Sequence, residues 1–427
     1  MLSRFCTVWE EKNKGQYLLF STLHTSSVRV DASLLRDLRE GTLSVEERDA
    51  LRDEGILQGE YDEPGRMEGF FDEYNRASKR LHLTVVLNLD CNLACRYCFE
   101  GTRKGDFVMT EETARGLADF VLGRDWAGKE TVHLTFYGGE PLLTAELIPY
   151  ISGLLKEPLE RRGKKYRFSL VTNGTLLTGK VVQRLLPHGL QGARITLDGP
   201  RQTHDSLRPY KSGTGSFDKI IANIKNVCHL TPIRISGNFT RSTYRRFPEL
   251  LDYFREEGLT PDRVRSVAFS PVTGESAEFA LPDFRECCDS IAEPWVIEAL
   301  AYLRGEVIKR GYKAPPLGVA VCALEDEGCF TVNYDGRLYK CPALIGRDPY
   351  CVGDVKEGAK DHRESHCLDN WKNAECLRCV YLPLCFGGCR YSLLVRNGSM
   401  KGVECKKAYY DAALRDFVLQ DLAQQEG

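Results

Sequence analysis

The chain has 427 residues, and its 58 lysines and arginines nearly balance 60 aspartates and glutamates. The length exceeds one core and predicts two or three domains, while the balanced charge gives no reason to expect nucleic acid or an anionic membrane as partner. The opening MLSRFCTVWEEKNKG lacks an apolar signal-type run and no segment is long enough to span a bilayer, so a cytoplasmic protein is expected, and its 17 cysteines are then expected as metal ligands or redox groups rather than disulfides.

Residues 16 to 30, QYLLFSTLHTSSVRV, alternate and predict a hairpin turned at HTSS. The helical run ASLLRDLRE stops at Gly41, and SVEERDALRDEG carries a capping box, Ser44 with Glu47, before ending at Gly55. The polar stretch QGEYDEPGRMEG then reads as a boundary. Residues 1–78 are accordingly expected to form a small winged-helix-like module.

From residue 79 strand runs alternate with helical runs. The strands are LTVVLNL (83–89), VHLTFY (132–137), RFSLVT (167–172), ARITLD (193–198), IRISGNF (233–239) and VRSVAFS (264–270). Six successive βα units imply an α/β fold with a parallel sheet over 79–280, either curled into a partial barrel or open and doubly wound. In barrels the chemistry gathers at the C-terminal strand ends, which makes the cysteines after the first strand neighbours of the GGEP after the second. A helical segment is expected to bridge 281–315, and a cysteine-rich domain occupies 316–427.

Three cysteines, Cys91, Cys95 and Cys98, stand in a CxxxCxxC spacing. Structural zinc sites use four ligands and common ferredoxin runs bring four thiolates to each cluster, so a cluster held by three thiolates would leave one iron open to a non-protein ligand. A zinc knuckle or three unrelated thiols are the plainer alternatives. CxxxCxxC with an aromatic before its last cysteine, followed by YGGEP with Gly138, Gly139 and Glu140, resembles the radical S-adenosylmethionine (SAM) enzymes. That resemblance implies a [4Fe–4S] cluster on the three cysteines whose open iron is chelated by SAM. It also implies a partial (β/α)6 TIM barrel, with Gly138, Gly139 and Glu140 at the SAM amino group and Tyr97 near the adenine. Further contacts to SAM are implied for Thr172 and Asn173 in TNG, Asp198 in TLDG, and Asn238. Strand-terminating turns with an Asx cap explain TNG and TLDG equally well. No general base is assigned, Asp198 being only a weak candidate.

Downstream, Cys376, Cys379, Cys385 and Cys389 form CxxCx5Cx3C, with Cys405 after fifteen intervening residues and Cys322, Cys329 and Gly336-x4-Cys341 before them. A zinc ribbon would need fewer thiols. The pattern resembles the SPASM extension of radical SAM peptide maturases, which implies two auxiliary [4Fe–4S] clusters. Cys322, Cys329, Cys341 and Cys389 are implied on the first, and Cys376, Cys379, Cys385 and Cys405 on the second; if only one of Cys322 and Cys329 ligates, the first has an open iron. Cys287, Cys288, Cys351 and Cys367 are candidates to alter the count, whereas Cys6 and Cys228 read as ordinary thiols.

The N-terminal module resembles the leader-recognition domain of maturases of ribosomally made peptides, and the run from LSRF to GTLSVEERDALRDEGIL is similar to the geopeptide maturases in particular. The implied partners are a precursor peptide with its leader, bound by β-augmentation, and an electron donor such as flavodoxin or ferredoxin. The implied reaction begins with a 5′-deoxyadenosyl radical and ends in intramolecular thioether cross-links. Carbon–carbon or carbon–oxygen cross-linking, or formylglycine formation in a sulfatase, are the alternatives within the class. A metal-loaded peptide-binding module without catalysis is the alternative outside it.

Overall fold

The computed structural model describes residues 1–11, 15–59, 63–124, 126, 128–274 and 286–426. They form two compact units, one of Met1–Asn75, Pro316–Asp326 and Cys367–Gly427, the other of Arg76–Pro315 and Glu327–His366. No described helix is long and apolar enough to cross a membrane.

In the first unit, β1 (Cys6–Glu11), β2 (Gln16–Ser21) and β3 (Ser26–Asp31) make an antiparallel sheet in chain order. The hairpin is β2–β3, turned at residues 22–25, and β1 is a strand that the hairpin reading omitted. The run QYLLFS lacks clean alternation because both faces of β2 are covered. Leu19 packs with Leu35, Leu38 and Leu51 from the module's helices; Leu18 and Phe20 pack with Tyr410, Leu414 and Val418 from the helix Lys407–Glu426. Helix Ala32–Glu40 starts at Asp31, whose side chain accepts from Leu34 N–H, and stops at Gly41 with φ 79°. Helix Val45–Asp53 has the capping box, with Ser44 and Glu47 bonded reciprocally. The polar stretch expected as a boundary is instead helical over Glu63–Glu68, and helix Phe70–Ala77 follows it; its residues 60–62 lie outside the described residues. Met67 of the first of these helices and Phe71 of the second are buried with Phe5, Trp371 and Phe386.

In the second unit, β4 (Arg80–Val86), β5 (Thr131–Tyr137), β6 (Lys165–Thr172), β7 (Leu190–Thr196), β8 (Ile233–Phe239) and β9 (Val264–Pro271) lie parallel and side by side in chain order. The order does not reverse as it does in a doubly wound sheet, so the six βα units take the partial-barrel arrangement. Past β4 the sheet continues with β10 (Cys329–Val332), parallel to β4, and antiparallel β11 (Arg337–Tyr339), β12 (Gly353–Asp354) and β13 (Gly358–Ala359). This extension was not expected, although Asp335-Gly336 between CFTV and RLY is a strong hairpin-turn pair.

Along β4–β9 the side chains alternate between two faces. One face, including Leu83, Leu134, Phe136, Phe168, Ile195 and Ile235, shares a core with helices Glu111–Leu122, Leu147–Arg161, Phe217–Val227, Phe247–Glu256 and Pro294–Lys309. The last of these falls in the segment expected as a bridge, and Ala299, Leu303 and Val307 enter the barrel core; the expected boundary at 280/281 lies outside the described residues. The opposite face is polar and carries the cavity at its C-terminal end.

Candidate active site

The chain leaves the ladder after β4 while remaining buried. Leu87 N–H donates to Tyr137 O (3.0 Å) and Leu89 N–H to Phe107 O (2.9 Å), which is why the apolar run LTVVLNL outlasts the strand. The following loop is pinned from the other side, Ala94 N–H to Pro209 O at 2.8 Å and Arg96 N–H to Leu207 O at 3.0 Å. Cys91, Cys95 and Cys98 thereby face one cavity of about 250 Å³ at the C-terminal strand ends.

Of the residues singled out in the sequence, Tyr97, Gly138, Gly139, Thr172, Asn173 and Asn238 also line this cavity. Gly138 and Gly139 stand where the backbone of β5's end meets the cysteine loop: Gly139 N–H donates to Asn88 O (3.0 Å) and Glu140 N–H to Asp90 O (2.8 Å). A Cβ on Gly138 would overlap the Asn88 carbonyl oxygen, and one on Gly139 that of Asp90. The glycines thus serve backbone-to-backbone approach.

Glu140 and Asp198 do not line the cavity; both are fully buried behind its wall. Glu140 Oε1 accepts from Leu142 N–H (3.0 Å) and the Thr172 hydroxyl (2.8 Å), and Oε2 accepts from Asn173 N–H (2.7 Å). Burial pushes this carboxyl up and the three donors oppose it; since every neighbour donates, the ionised form is the one that fits. Glu140 therefore ties the TNG segment to the cysteine loop. Asn173 in turn donates from Nδ2 to Asn92 Oδ1 (2.8 Å) and to Cys91 Sγ (3.7 Å), while its Oδ1 accepts from Thr175 N–H (2.9 Å), the Asx turn of the plainer reading.

Asp198 accepts from the Tyr97 hydroxyl and from Asn238 N–H (2.7 Å). The Tyr97 oxygen also accepts from Arg208 (2.8 Å) and Asn238 Nδ2 (3.0 Å). Burial pushes the Asp198 carboxyl up, against the Arg208 charge and these hydrogen bonds. Sequence reasoning missed Arg208, which lines the cavity, is 8% exposed, and sets its buried Nε 3.9 Å from Asp198 Oδ2, an ion pair just beyond hydrogen-bond distance. Lys104 was missed too. Burial disfavours its charge, but Cys98, Cys95 and Cys91 hold its pKa above the ordinary lysine value. Burial pushes Cys91 up to about 12, and also raises Cys95, with Arg208 opposing.

Among the described residues no three Cys, His, Asp or Glu side chains converge tightly enough for a single metal ion. Three thiols on one loop and one cavity, with Lys104 and Arg208 to offset thiolate charge, fit the donor set of an iron–sulfur cluster.

A second group of thiols lies in the first unit. Burial pushes the Cys376 and Cys379 thiols up, and Cys385 and Cys405 stand near enough to both to add to that. Cys405 is brought in by a backbone junction: Glu404 N–H donates to Gly387 O (2.8 Å), Cys389 N–H donates to Glu404 Oε2 (3.0 Å), and a Cβ on Gly388 would overlap the Glu404 carbonyl oxygen. The buried Arg390 steadies the turn, donating to Phe386 O (3.1 Å), Gly388 O (3.2 Å) and Glu325. Cys322 senses Cys389 in the same unit. In the other unit, the β10–β11 register extended by two residues sets Cys329 opposite Cys341.

The fold and site place a cysteine-lined cavity at the C-terminal strand ends of a partial barrel. Residues 85–254 match the model of the Radical SAM superfamily. The chain is 31% identical over 199 residues to Fe-coproporphyrin III synthase of Methanosarcina barkeri, a match that covers 43% of this chain and 46% of that protein. It is 22% identical over 361 residues to a cysteine-type anaerobic sulfatase-maturating enzyme of Clostridium novyi, covering 75% and 92%. Among solved structures it resembles anSMEcpe with bound AdoMet and Kp18Cys peptide (TM-score 0.62, 19% identity, 81% of this chain and 99% of that one). It also resembles Streptococcus suis SuiB bound to precursor peptide SuiA (0.55, 15%, 95% and 98%). Residues 85–254 are a radical SAM domain, and the chain is a homologue of the SPASM-type, protein- and peptide-modifying maturases.

Proposed function

We propose that this enzyme matures a ribosomally made precursor peptide by forming intramolecular thioether cross-links. The observation that carries the reading is the convergence of Cys91, Cys95 and Cys98 with Arg208 and Lys104 on one cavity, in a chain homologous to maturases over three quarters of its length. When bound on the three thiolates, a [4Fe–4S] cluster and SAM supply a 5′-deoxyadenosyl radical that takes hydrogen from an unactivated carbon.

The chain's own residues prepare that site. Asn173 orients Cys91 through its Nδ2, and Lys104 offsets the thiolate charge. Arg208, which lines the cavity, offers a cation to the SAM carboxylate. Tyr97 and Asn238, fixed by Asp198, form the wall beside the nucleoside, and the Gly138–Gly139 backbone borders the amino group. Cys376, Cys379, Cys385 and Cys405 would hold an auxiliary cluster, able to take an electron as the product bond closes. The leader would join the sheet of residues 1–78 at β3, which pairs on one side only, because Arg415 already donates to Glu10 O on β1 (3.1 Å). A small redox protein such as flavodoxin or ferredoxin would deliver the electron.

The test is mass spectrometry of the short peptide encoded beside the gene, after anaerobic incubation with reconstituted protein, SAM and reductant. Loss of two hydrogens per link together with loss of an alkylatable thiol is expected. Hydrogen loss with every thiol still alkylatable would shift the reaction to carbon–carbon or carbon–oxygen linkage. An unmodified peptide alongside conversion of a sulfatase-derived peptide would shift it to formylglycine formation.

A further inference from the structure

The polar face of the barrel sheet carries a row of cations beneath the cavity. Arg80, Arg167, Arg194 and Arg234 stand on β4, β6, β7 and β8, all exposed. None of the four makes an ion pair among the described residues, whereas arginines elsewhere do, such as Arg29 with Glu11, Arg245 with Glu298 and Arg310 with Asp252. In a chain of net charge −2 this local excess does not follow from composition.

The register makes the arrangement specific. Val171, Arg194 and Arg234 are partners across β6, β7 and β8, so two guanidinium side chains stand side by side in one row. Like charges on neighbouring strands destabilise a sheet. Arg234 is pushed below the usual arginine range by partial desolvation and by Arg265 and Arg194, and burial holds His133 down to about 3 with help from Arg80, His82, Arg167 and Arg234. The rest of the face is hydroxyls and imidazoles bonded to one another: His82 to Thr135 (2.9 Å), His133 to Ser169 (3.1 Å), Thr196 to Ser236 (3.3 Å). A closed barrel fills this face with Val, Ile and Leu; here arginines stand exposed on it. Val171 lines the cavity, so the cationic row begins at the reacting site. It descends to Arg167 and Arg234, each four residues before a cavity-lining residue of its strand, or about 13 Å at the rise of a strand.

We propose that this face binds the modified segment of the peptide through carboxylates, so that the substrate is acidic, with Asp or Glu within about four or five residues of the modified position at the rise of an extended chain. The inference rests on the peptide-substrate reading above. It adds that the arginine row, and not only the leader, selects the core segment by charge.

The test uses the full-length reconstituted protein and two fluorescein-labelled twelve-residue probes, repeats of Gly-Ser-Glu and of Gly-Ser-Gln, read by anisotropy at low and high salt. The Glu probe should bind about ten-fold tighter or better, with the preference collapsing in high salt and in the double variant Arg194→Gln/Arg234→Gln. Arg194→Lys/Arg234→Lys should retain most of it. Should the Gln double variant fail to fold by circular dichroism, Arg167→Gln, at an exposed position, takes its place with a smaller loss. Equal binding of the two probes, or a Glu preference that survives the charge removal, would overturn the proposal. So would an oligouridylate that binds more tightly than the Glu probe and is lost in the same variants. The maturase reading fails separately, if the wild-type protein releases no 5′-deoxyadenosine from SAM whatever the probes do.

Discussion

Glu140→Gln separates two roles for the last residue of GGE. If the carboxylate met the SAM ammonium, the amide would weaken SAM binding and leave the apo-protein untouched. The structure assigns it instead to three buried donors, at 3.0, 2.8 and 2.7 Å. Glutamine has one acceptor oxygen, so its NH2 must face either Asn173 N–H or the Leu142 and Thr172 donors. Losing hydrogen bonds to a charged group (about 1.5–3 kcal/mol) and burying a donor against a donor (about 1–3 kcal/mol) together cost about 3–5 kcal/mol. For a unit of this size that lowers the melting temperature by on the order of 10 °C. The assay is thermal unfolding of the metal-free protein, followed by near-ultraviolet circular dichroism, with SAM affinity measured separately on the reconstituted form. An unchanged melting temperature with a loss of SAM affinity would refute the positioning role.

Replacing Cys91, Cys95 and Cys98 together by alanine should abolish release of 5′-deoxyadenosine under dithionite while iron remains bound elsewhere in the chain; persistent SAM cleavage would contradict the site. Gly388→Ala forces a Cβ onto the Glu404 carbonyl at φ 76° and should displace Cys405, lowering bound iron by about four per chain, one cluster's worth, with SAM still bound. Iron analysis at unchanged stoichiometry would contradict that. Arg390→Leu strands the Glu325 carboxylate in the interior, at a cost of about 3–5 kcal/mol at neutral pH, read by urea unfolding. Burial already pushes Glu325 up, and loss of the guanidinium raises it further above its unfolded value. The penalty should therefore be small below the ordinary carboxylate range and grow as pH rises through the folded-state pKa; a pH-independent loss would argue against a charge effect.

What the sequence disclosed follows from how local each signal is. β8 was legible to the residue because Ile233, Ile235 and Phe239 alternate cleanly with polar neighbours. β4 was misplaced by three residues because Leu87 and Leu89 stay buried after the ladder ends, and burial, not pairing, is what hydrophobicity reports. β1 was missed because its residues are only half-buried. Among site residues, the cysteines were found by spacing alone. Arg208 and Lys104 were not, since an arginine ending a short helix and a lysine in a loop look ordinary until the fold turns them toward the thiols. The reverse holds for Glu140 and Asp198, conspicuous in their motifs yet buried behind the cavity wall.

Two Gly-Gly pairs solve one problem at two places. A cysteine loop has little secondary structure to fix its shape, so a second backbone segment must be laced against it closely enough to hydrogen-bond. At Gly138-Gly139 that segment is the end of β5, against Asn88 and Asp90; at Gly387-Gly388 it is the chain entering Cys405, against Glu404. In both, a Cβ would meet a carbonyl oxygen, and in both a buried glutamate closes the junction, Glu140 through Thr172 and Asn173, Glu404 through Cys389 N–H. The glycines make the approach sterically open and the carboxylate makes it single-valued, because an acceptor among fixed donors tolerates one geometry. Conservative replacements at these positions should therefore act on cluster retention before they act on catalysis, and the two sites should fail independently.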